Sequence, residues 1–256
     1  MSRPTTAIHR QVTERLKELR LPAVRACYRE AAQRAQQESL SYEGYLLELV
    51  DHECEVRRHH RVERYLRESR LPLEKSLSTL DVKRLPHKVV HQLQTLVEGS
   101  FVDRAENILA FGNPGTGKTH LVCAIGQELV RSGRRVYFTP CSLLVQDLLR
   151  AKQQLTLTRF LKRLAKYDTL ILDDIGYVQH DRSEMEVLFT LLAERYERGS
   201  VMITSNLPFS QWERIFHDPM TTAAAIDRLV HHCIILELNI ASYRMEHAKR
   251  KKVITQ

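Results

Sequence analysis

A chain of 256 residues, 43% of them apolar, is long enough to bury the core of one or two domains, and it contains no run of membrane-spanning length. Thirty-nine Lys+Arg stand against 31 Asp+Glu. Nine basic residues and one acid between Arg131 and Lys166 carry the whole net charge of +8, which suits a polyanionic partner better than general solubility. The cysteines Cys27, Cys54, Cys123, Cys141 and Cys233 form no CxxC pair, and His59-His60 and His231-His232 have no Cys at metal-ligand spacing. Reduced thiols and no structural zinc are therefore expected. The start, MSRPTTAIHRQVTERLKEL, has no apolar signal-peptide core, so the expected address is the cytoplasm.

Residues 7 to 70 read as helical, with Gly44 the only glycine there and Pro22 and Pro72 as punctuation. From Ser41, a candidate N-cap, apolar residues follow a loose 3.6 period through Leu66. The polar side carries arginines, among them Arg57, Arg58 and Arg61, with glutamates spaced to pair with them. Two readings stay open at this point, a solvated helix face or a DNA-contacting arm.

Beyond this the character changes, which divides the chain into an all-helical domain 1–72 and a second domain 73–256. ENILAFG, RRVYFTP, TLILDD, SVMITSN and CIILELN are strand candidates separated by helical stretches. That alternation argues an α/β fold, a parallel sheet sandwiched by helices.

Between the first strand and the next helix lies GNPGTGKT, which matches G-x-x-x-x-G-K-[ST] in the strand–loop–helix setting that makes it credible. Gly112, Asn113, Pro114, Gly115, Thr116 and Gly117 would wrap the phosphate oxygens, with backbone N–H groups supplied by all of them but Pro114, and His120 follows the motif. Lys118 would neutralise the β and γ oxygens of a nucleoside triphosphate, and the Thr119 hydroxyl would hold Mg²⁺. Asp173 lies 55 residues after Lys118, at the end of a later strand of the same sheet. Two acids closing an apolar run can simply finish a buried strand. Given the upstream loop, Asp173 reads as a second magnesium group and Asp174 as the group that orients or deprotonates the attacking water. Asn206, ending a further strand, either contacts the γ-phosphate or that water, or makes an Asx turn before Pro208. Arg228 on a helical stretch is either surface charge or a finger reaching a neighbouring subunit's γ-phosphate.

GNPGTGKTHL, LILDDIGY, ITSNLPFSQW and AAAIDRLVHH, with LSYEGYLLELVDHECEVRR and RLP upstream, together resemble the IstB family from about residue 8 to residue 250. IstB-like proteins are AAA+ ATPase helpers of the insertion-sequence transposase IstA, and the replicative helicase loader DnaC has a similar AAA+ core. The resemblance implies ATP and Mg²⁺ binding, homo-oligomers on duplex DNA, and assistance to an IstA-like transposase. It makes Lys118 and Thr119 the Walker-A pair, Asp173 and Asp174 Walker B, Asn206 sensor 1 and Arg228 the trans-acting finger. Aspartate at position 174 departs from the glutamate more usual in ATPases and leaves the hydrolysis rate open. The basic segment 141 to 166 falls where loader and initiator AAA+ proteins carry a helical insertion on the DNA path. Arg150, Lys152, Arg159, Lys162 and Arg163 are thereby candidates for phosphate contact. Only 28 residues follow Arg228, too few for a full C-terminal helical lid, so Arg244 is the remaining candidate for a second sensor.

The competing functions are a DnaC-like helicase loader, a small-molecule P-loop kinase, and a nucleotide-gated binding module with negligible turnover. The focused basic segment and Arg228 weigh against the kinase.

Overall fold

The computed structural model describes residues 5–176, 182–212, 223, 226–227 and 229–243. The chain divides into two compact units, residues 1–64 and 65–256.

The first unit is helical: α1 (Thr5–Glu18), α2 (Pro22–Gln37) and α3 (Tyr42–Ser69), whose last residues belong to the second unit. Pro22 opens α2 at a position where the missing N–H costs nothing, and the Ser41 hydroxyl accepts the Gly44 N–H at 3.1 Å, capping α3 as its sequence suggests. Val24, Tyr28, Ala31 and Leu49 form a small buried core.

Glu53 of α3 is 4% exposed and accepts the Ala23 and Val24 N–H groups at 2.9 and 3.1 Å, two donors that the first turn of α2 cannot satisfy itself. Arg57 donates to the same carboxylate at 2.8 Å and also to the Arg20 carbonyl. Burial pushes the Glu53 carboxyl up, but Arg57 and the two amides outweigh it and hold it below the usual carboxylate range. A carboxyl held low in the folded state gives stability that is fully present above the unfolded value, about pH 4.3, and lost as pH falls through the depressed folded value. The full-length protein is therefore expected to lose stability on acidification below about pH 4. Glu53→Gln should cost about 1–2 kcal/mol at pH 7 and flatten that acid limb. Urea denaturation of both proteins at pH 7 and at about pH 3 checks this; equal stability at pH 7 would contradict it.

The second unit contains α4 (His87–Glu98), the short α5 (Ser100–Asp103) and then an alternating series. The series runs β1 (Asn107–Gly112), α6 (Lys118–Arg131), β2 (Val136–Pro140), α7 (Cys141–Gln153), α8 (Leu157–Leu164), β3 (Thr169–Asp173), α9 (Arg182–Arg195), β4 (Ser200–Ser205) and β5 (Cys233–Leu238). Each strand expected from the sequence is present. The strands form one parallel sheet in the order β2-β3-β4-β1-β5. Helices cover both faces, with α7 and α9 packed together on one side and α6 lying against β1 to β4 on the other. Leu170, Leu172, Ile203 and Trp212 join α7 and α9 in one buried cluster. This two-sided burial explains why TLIL and SVMI read as unbroken apolar runs rather than alternating ones.

Arg195, 4% exposed, closes the far end of the sheet, donating to the Tyr167, Asp168 and Ser200 carbonyls at 2.7, 2.8 and 3.0 Å. Burial lowers its pKa to about 10, so it stays charged at pH 7. All five cysteines are free thiols, and burial pushes Cys123 and Cys141 up to about 12, which leaves them inert at neutral pH. Among the described residues no helix is long and apolar enough to cross a membrane.

Candidate functional site

Three neighbouring strands, β3, β4 and β1, end side by side, and their carboxyl ends bring the chemistry together. That edge is where open parallel sheets bind ligands. From β1 the chain turns through residues 112–117 into α6. Gly112 passes so close to β5 that a Cβ there would lie 2.6 Å from the Leu238 carbonyl oxygen and 2.9 Å from Thr116 Oγ1. Gly117 caps α6 with φ +95°, a left-handed conformation that glycine adopts without strain. The loop thus delivers the positive end of a long buried helix to the strand ends. Thr116 Oγ1 donates to the Asn113 carbonyl at 2.9 Å, and the Lys118 ammonium, 7% exposed, donates to the Gly112 and Asn113 carbonyls at 2.7 and 3.1 Å.

A hydrogen-bond chain joins the three strand ends. Thr119 Oγ1 donates to Asp173 Oδ1 at 2.8 Å, and Thr204 Oγ1, at the end of β4, donates to the same oxygen at 2.7 Å. Thr204 Oγ1 in turn accepts the Asp174 backbone N–H at 2.8 Å, and its carbonyl accepts the Ile175 N–H at 3.0 Å. Asp174 has φ +66° and an exposed side chain, so the chain turns sharply at the second acid and aims it outward. Ser205 pins the same corner by donating to Leu207 O at 2.9 Å and accepting the Leu207 N–H at 3.1 Å. Asn206 Oδ1 is buried with no partner among the described residues. A threonine hydroxyl and an aspartate, oxygen donors only, could hold a hard cation such as Mg²⁺.

Beside the loop lies a cavity of about 300 Å³. Its walls include Leu80, Asp81, Arg84, Leu85, Ile240 and Tyr243, none of which the motif reading had singled out. The Tyr243 N–H donates to the Gly115 carbonyl at 2.9 Å, and the Arg84 guanidinium stacks over the Tyr243 ring at 5.2 Å. His120 Nε2 lies 3.1 Å from both the Ser76 carbonyl and Thr79 Oγ1, so it ties α6 to the segment that forms this wall.

The model of the IstB-like ATP binding protein family matches residues 14–251. The chain belongs to that family. It is 43% identical over 238 residues to a putative insertion sequence ATP-binding protein of Sinorhizobium fredii (strain NBRC 101917 / NGR234), covering 93% of this chain and 80% of that one. It is 37% identical over 227 residues to the IS21 putative ATP-binding protein of Pseudomonas aeruginosa, covering 88% and 84%. Among solved structures it is similar to AMPPCP-bound DnaA from Aquifex aeolicus (TM-score 0.56, 19% identity, 73% of this chain and 57% of that one). It is similar also to DnaI (TM-score 0.53, 23% identity, 66% and 95%). At these identities the likeness is one of fold, the AAA+ P-loop sheet, and this chain spans little more than half of the DnaA chain.

In this IstB-like protein the fold gathers Gly112 through His120, Asp173 and Asp174 at one sheet edge, with Asn206 just beyond β4. Arg228 and Arg244 lie outside the described residues. The basic candidates are elsewhere. Arg150 pairs with Asp147 at 3.4 Å and Lys152 with Glu186 at 2.8 Å. On α8 and the residue after its C-cap, Arg159, Lys162, Arg163 and Lys166 recur at helical spacing and are all exposed. Arg163 stacks on Phe160, 4.5 Å from the ring centroid. In the first unit Arg57 is engaged in the Glu53 cap, while Arg58 and Arg61 are exposed.

Thr204 is the residue that motif reading undervalued, because the strand-end TSN drew attention to its asparagine. Replacing it by valine keeps the shape but removes the donor to Asp173 and the acceptor for the Asp174 N–H. Under the ATPase reading proposed below, Thr204→Val is expected to lower the rate of ATP hydrolysis roughly 10- to 100-fold, from about 1–3 kcal/mol for the unpaired groups, with ATP affinity changed far less. Steady-state hydrolysis and ATP titration together test this, and a wild-type rate would contradict it.

Proposed function

We propose that this chain is a DNA-dependent ATPase switch of insertion-sequence transposition, which binds ATP, assembles as a homo-oligomer on duplex DNA and assists an IstA-like transposase in the cytoplasm. The observation that carries the reading is the chain Thr119–Asp173–Thr204, with its 2.8 and 2.7 Å bonds, beside a phosphate-type loop in a member of an ATP-binding family.

In this reading Lys118 exchanges its loop carbonyls for the β and γ oxygens, and the backbone N–H groups of residues 112–119 other than Pro114 surround the phosphates. Thr119 and Asp173 would hold Mg²⁺, whose charge offsets that of the phosphate oxygens. Asp174 accepts a proton from the attacking water as the water oxygen bonds the γ-phosphorus and the β–γ bridging oxygen leaves with ADP. The unpartnered Asn206 Oδ1 is an acceptor, which suits a water proton better than a phosphate oxygen. The cavity lined by Leu80, Leu85, Ile240 and Tyr243 takes the base.

For DNA, the supporting observation is α8. Arg159, Lys162 and Lys166 face solvent together and have no ion-pair partner among the described residues. Cations so arranged suit sequence-tolerant phosphate contact, with affinity falling steeply with salt. Arg150, Lys152, Arg163, Arg58 and Arg61 extend the candidate set, and Arg57 has its structural role besides. Arg228 is proposed as the finger reaching a neighbouring subunit. Arg228→Ala should cut hydrolysis by about 10³-fold in the DNA-assembled state and leave ATP affinity of the dilute protein unchanged. A wild-type rate in the assembled state would remove the assignment.

The partner is tested by pull-down with IstA-like transposase and, separately, with a hexameric replicative helicase. ATP-dependent capture of the transposase supports the proposal. Capture of the helicase alone overturns it in favour of a loader.

A further inference from the structure

At the opposite edge of the sheet two turns meet, one leading from α9 into β4 and the other leading into β5. They lie one strand length, roughly 17 Å at 3.3 Å per residue, from the phosphate loop. Both turns are held by buried polar side chains. Asn107, at the start of β1, donates its backbone N–H to His232 O at 2.8 Å and its side-chain amide to Leu229 O at 3.2 Å. Its Oδ1 accepts the Val201 N–H at 2.9 Å. The other turn closes on Arg195, whose carbonyl accepts the Arg198 and Gly199 N–H groups at 3.0 and 3.1 Å while its guanidinium holds the ends of β3 and β4.

Between these fixed backbones stand three exposed side chains, Glu197, His231 and His232, each offering a ligand atom within 4.8 Å of the others. Among the described residues this is the one such gathering of His, Cys, Asp or Glu. The Tyr196 hydroxyl, 3.2 Å from His231 Nδ1, orients that ring in the way outer hydrogen bonds orient metal-ligating imidazoles. Sequence spacing conceals the site, because β4 separates Glu197 from the histidine pair.

We propose that Glu197, His231 and His232 bind a divalent transition metal of the zinc class. Two imidazoles and one carboxylate with water completing the shell is a three-ligand set that favours Zn²⁺, Co²⁺ or Ni²⁺ over Mg²⁺. Metal–ligand distances of about 2.0–2.2 Å put the ligand atoms roughly 3.4 Å apart, which exposed side chains reach by small rotamer changes. The ion ties the α9–β4 turn to the segment behind Asp227, whose carbonyl accepts the His231 N–H at 3.0 Å. The site is independent of nucleotide chemistry.

The test is Co²⁺ titration followed by its visible absorption, with Zn²⁺ competition, on tag-free full-length protein. Wild type is compared with Glu197→Gln, His232→Asn and the remote control His59→Asn, each first checked for a wild-type melting temperature. One equivalent that weakens at least tenfold in Glu197→Gln and His232→Asn, but not in His59→Asn, supports the proposal, as does a Zn²⁺-dependent rise in melting temperature confined to wild type and control. No binding by wild type at micromolar metal, or equal binding by all four proteins, overturns it.

Discussion

Lys118→Ala is expected to weaken ATP binding by roughly 10²–10⁴-fold, from two charge-assisted hydrogen bonds of about 1.5–3 kcal/mol each, and with that to abolish hydrolysis. The ammonium is 7% exposed and sits 2.7 and 3.1 Å from the Gly112 and Asn113 carbonyls. It is thus already held within the loop, at low conformational cost, for exchange onto a polyphosphate. Alanine leaves the β and γ charges without their counter-charge in a half-buried setting, where screening by water is weak. Titration with a fluorescent ATP analogue reads the effect directly, and an affinity within threefold of wild type would contradict the assignment.

Asp174→Asn is expected to separate binding from turnover. Asparagine has the same shape and tolerates the left-handed backbone at φ +66°, and the Asp174 N–H bond to Thr204 does not depend on the side chain. The amide cannot take a proton. Hydrolysis should therefore fall by about 10²–10⁴-fold, the contribution of a positioned general base, while ATP affinity stays near wild type. Single-turnover hydrolysis with radiolabelled ATP, beside equilibrium ATP binding, checks both halves. Normal turnover in this variant would mean that the base lies elsewhere.

Much of this arrangement was legible in the sequence because its causes are local. The run ILAFGNPGTGKT needs glycines where the backbone turns left-handed or passes close to β5, and the centres of β3 (LIL) and β4 (VMI) are apolar without alternation because both sheet faces are covered. What escaped detection depends on chain segments far apart. Thr204 reaches Asp173 only because β4 pairs with β3. Tyr243 meets Gly115 only because the chain returns over the loop after β5. The cavity wall at Leu80 to Leu85 is built from single turns, Leu77–Thr79 and Val82–Arg84, which carry no periodic signal. Arg57 shows the converse difficulty. Its i,i+4 pairing with Glu53 follows from the spacing, but not that Glu53 at the same time caps a helix thirty residues earlier in the chain.

Sedimentation velocity of the full-length protein with duplex DNA, with and without ATP, reads the proposed control of assembly by ATP. Fast-sedimenting protein–DNA complexes are expected when ATP and DNA are both present, kept in Asp174→Asn and absent in Lys118→Ala. Identical sedimentation with and without ATP would contradict it.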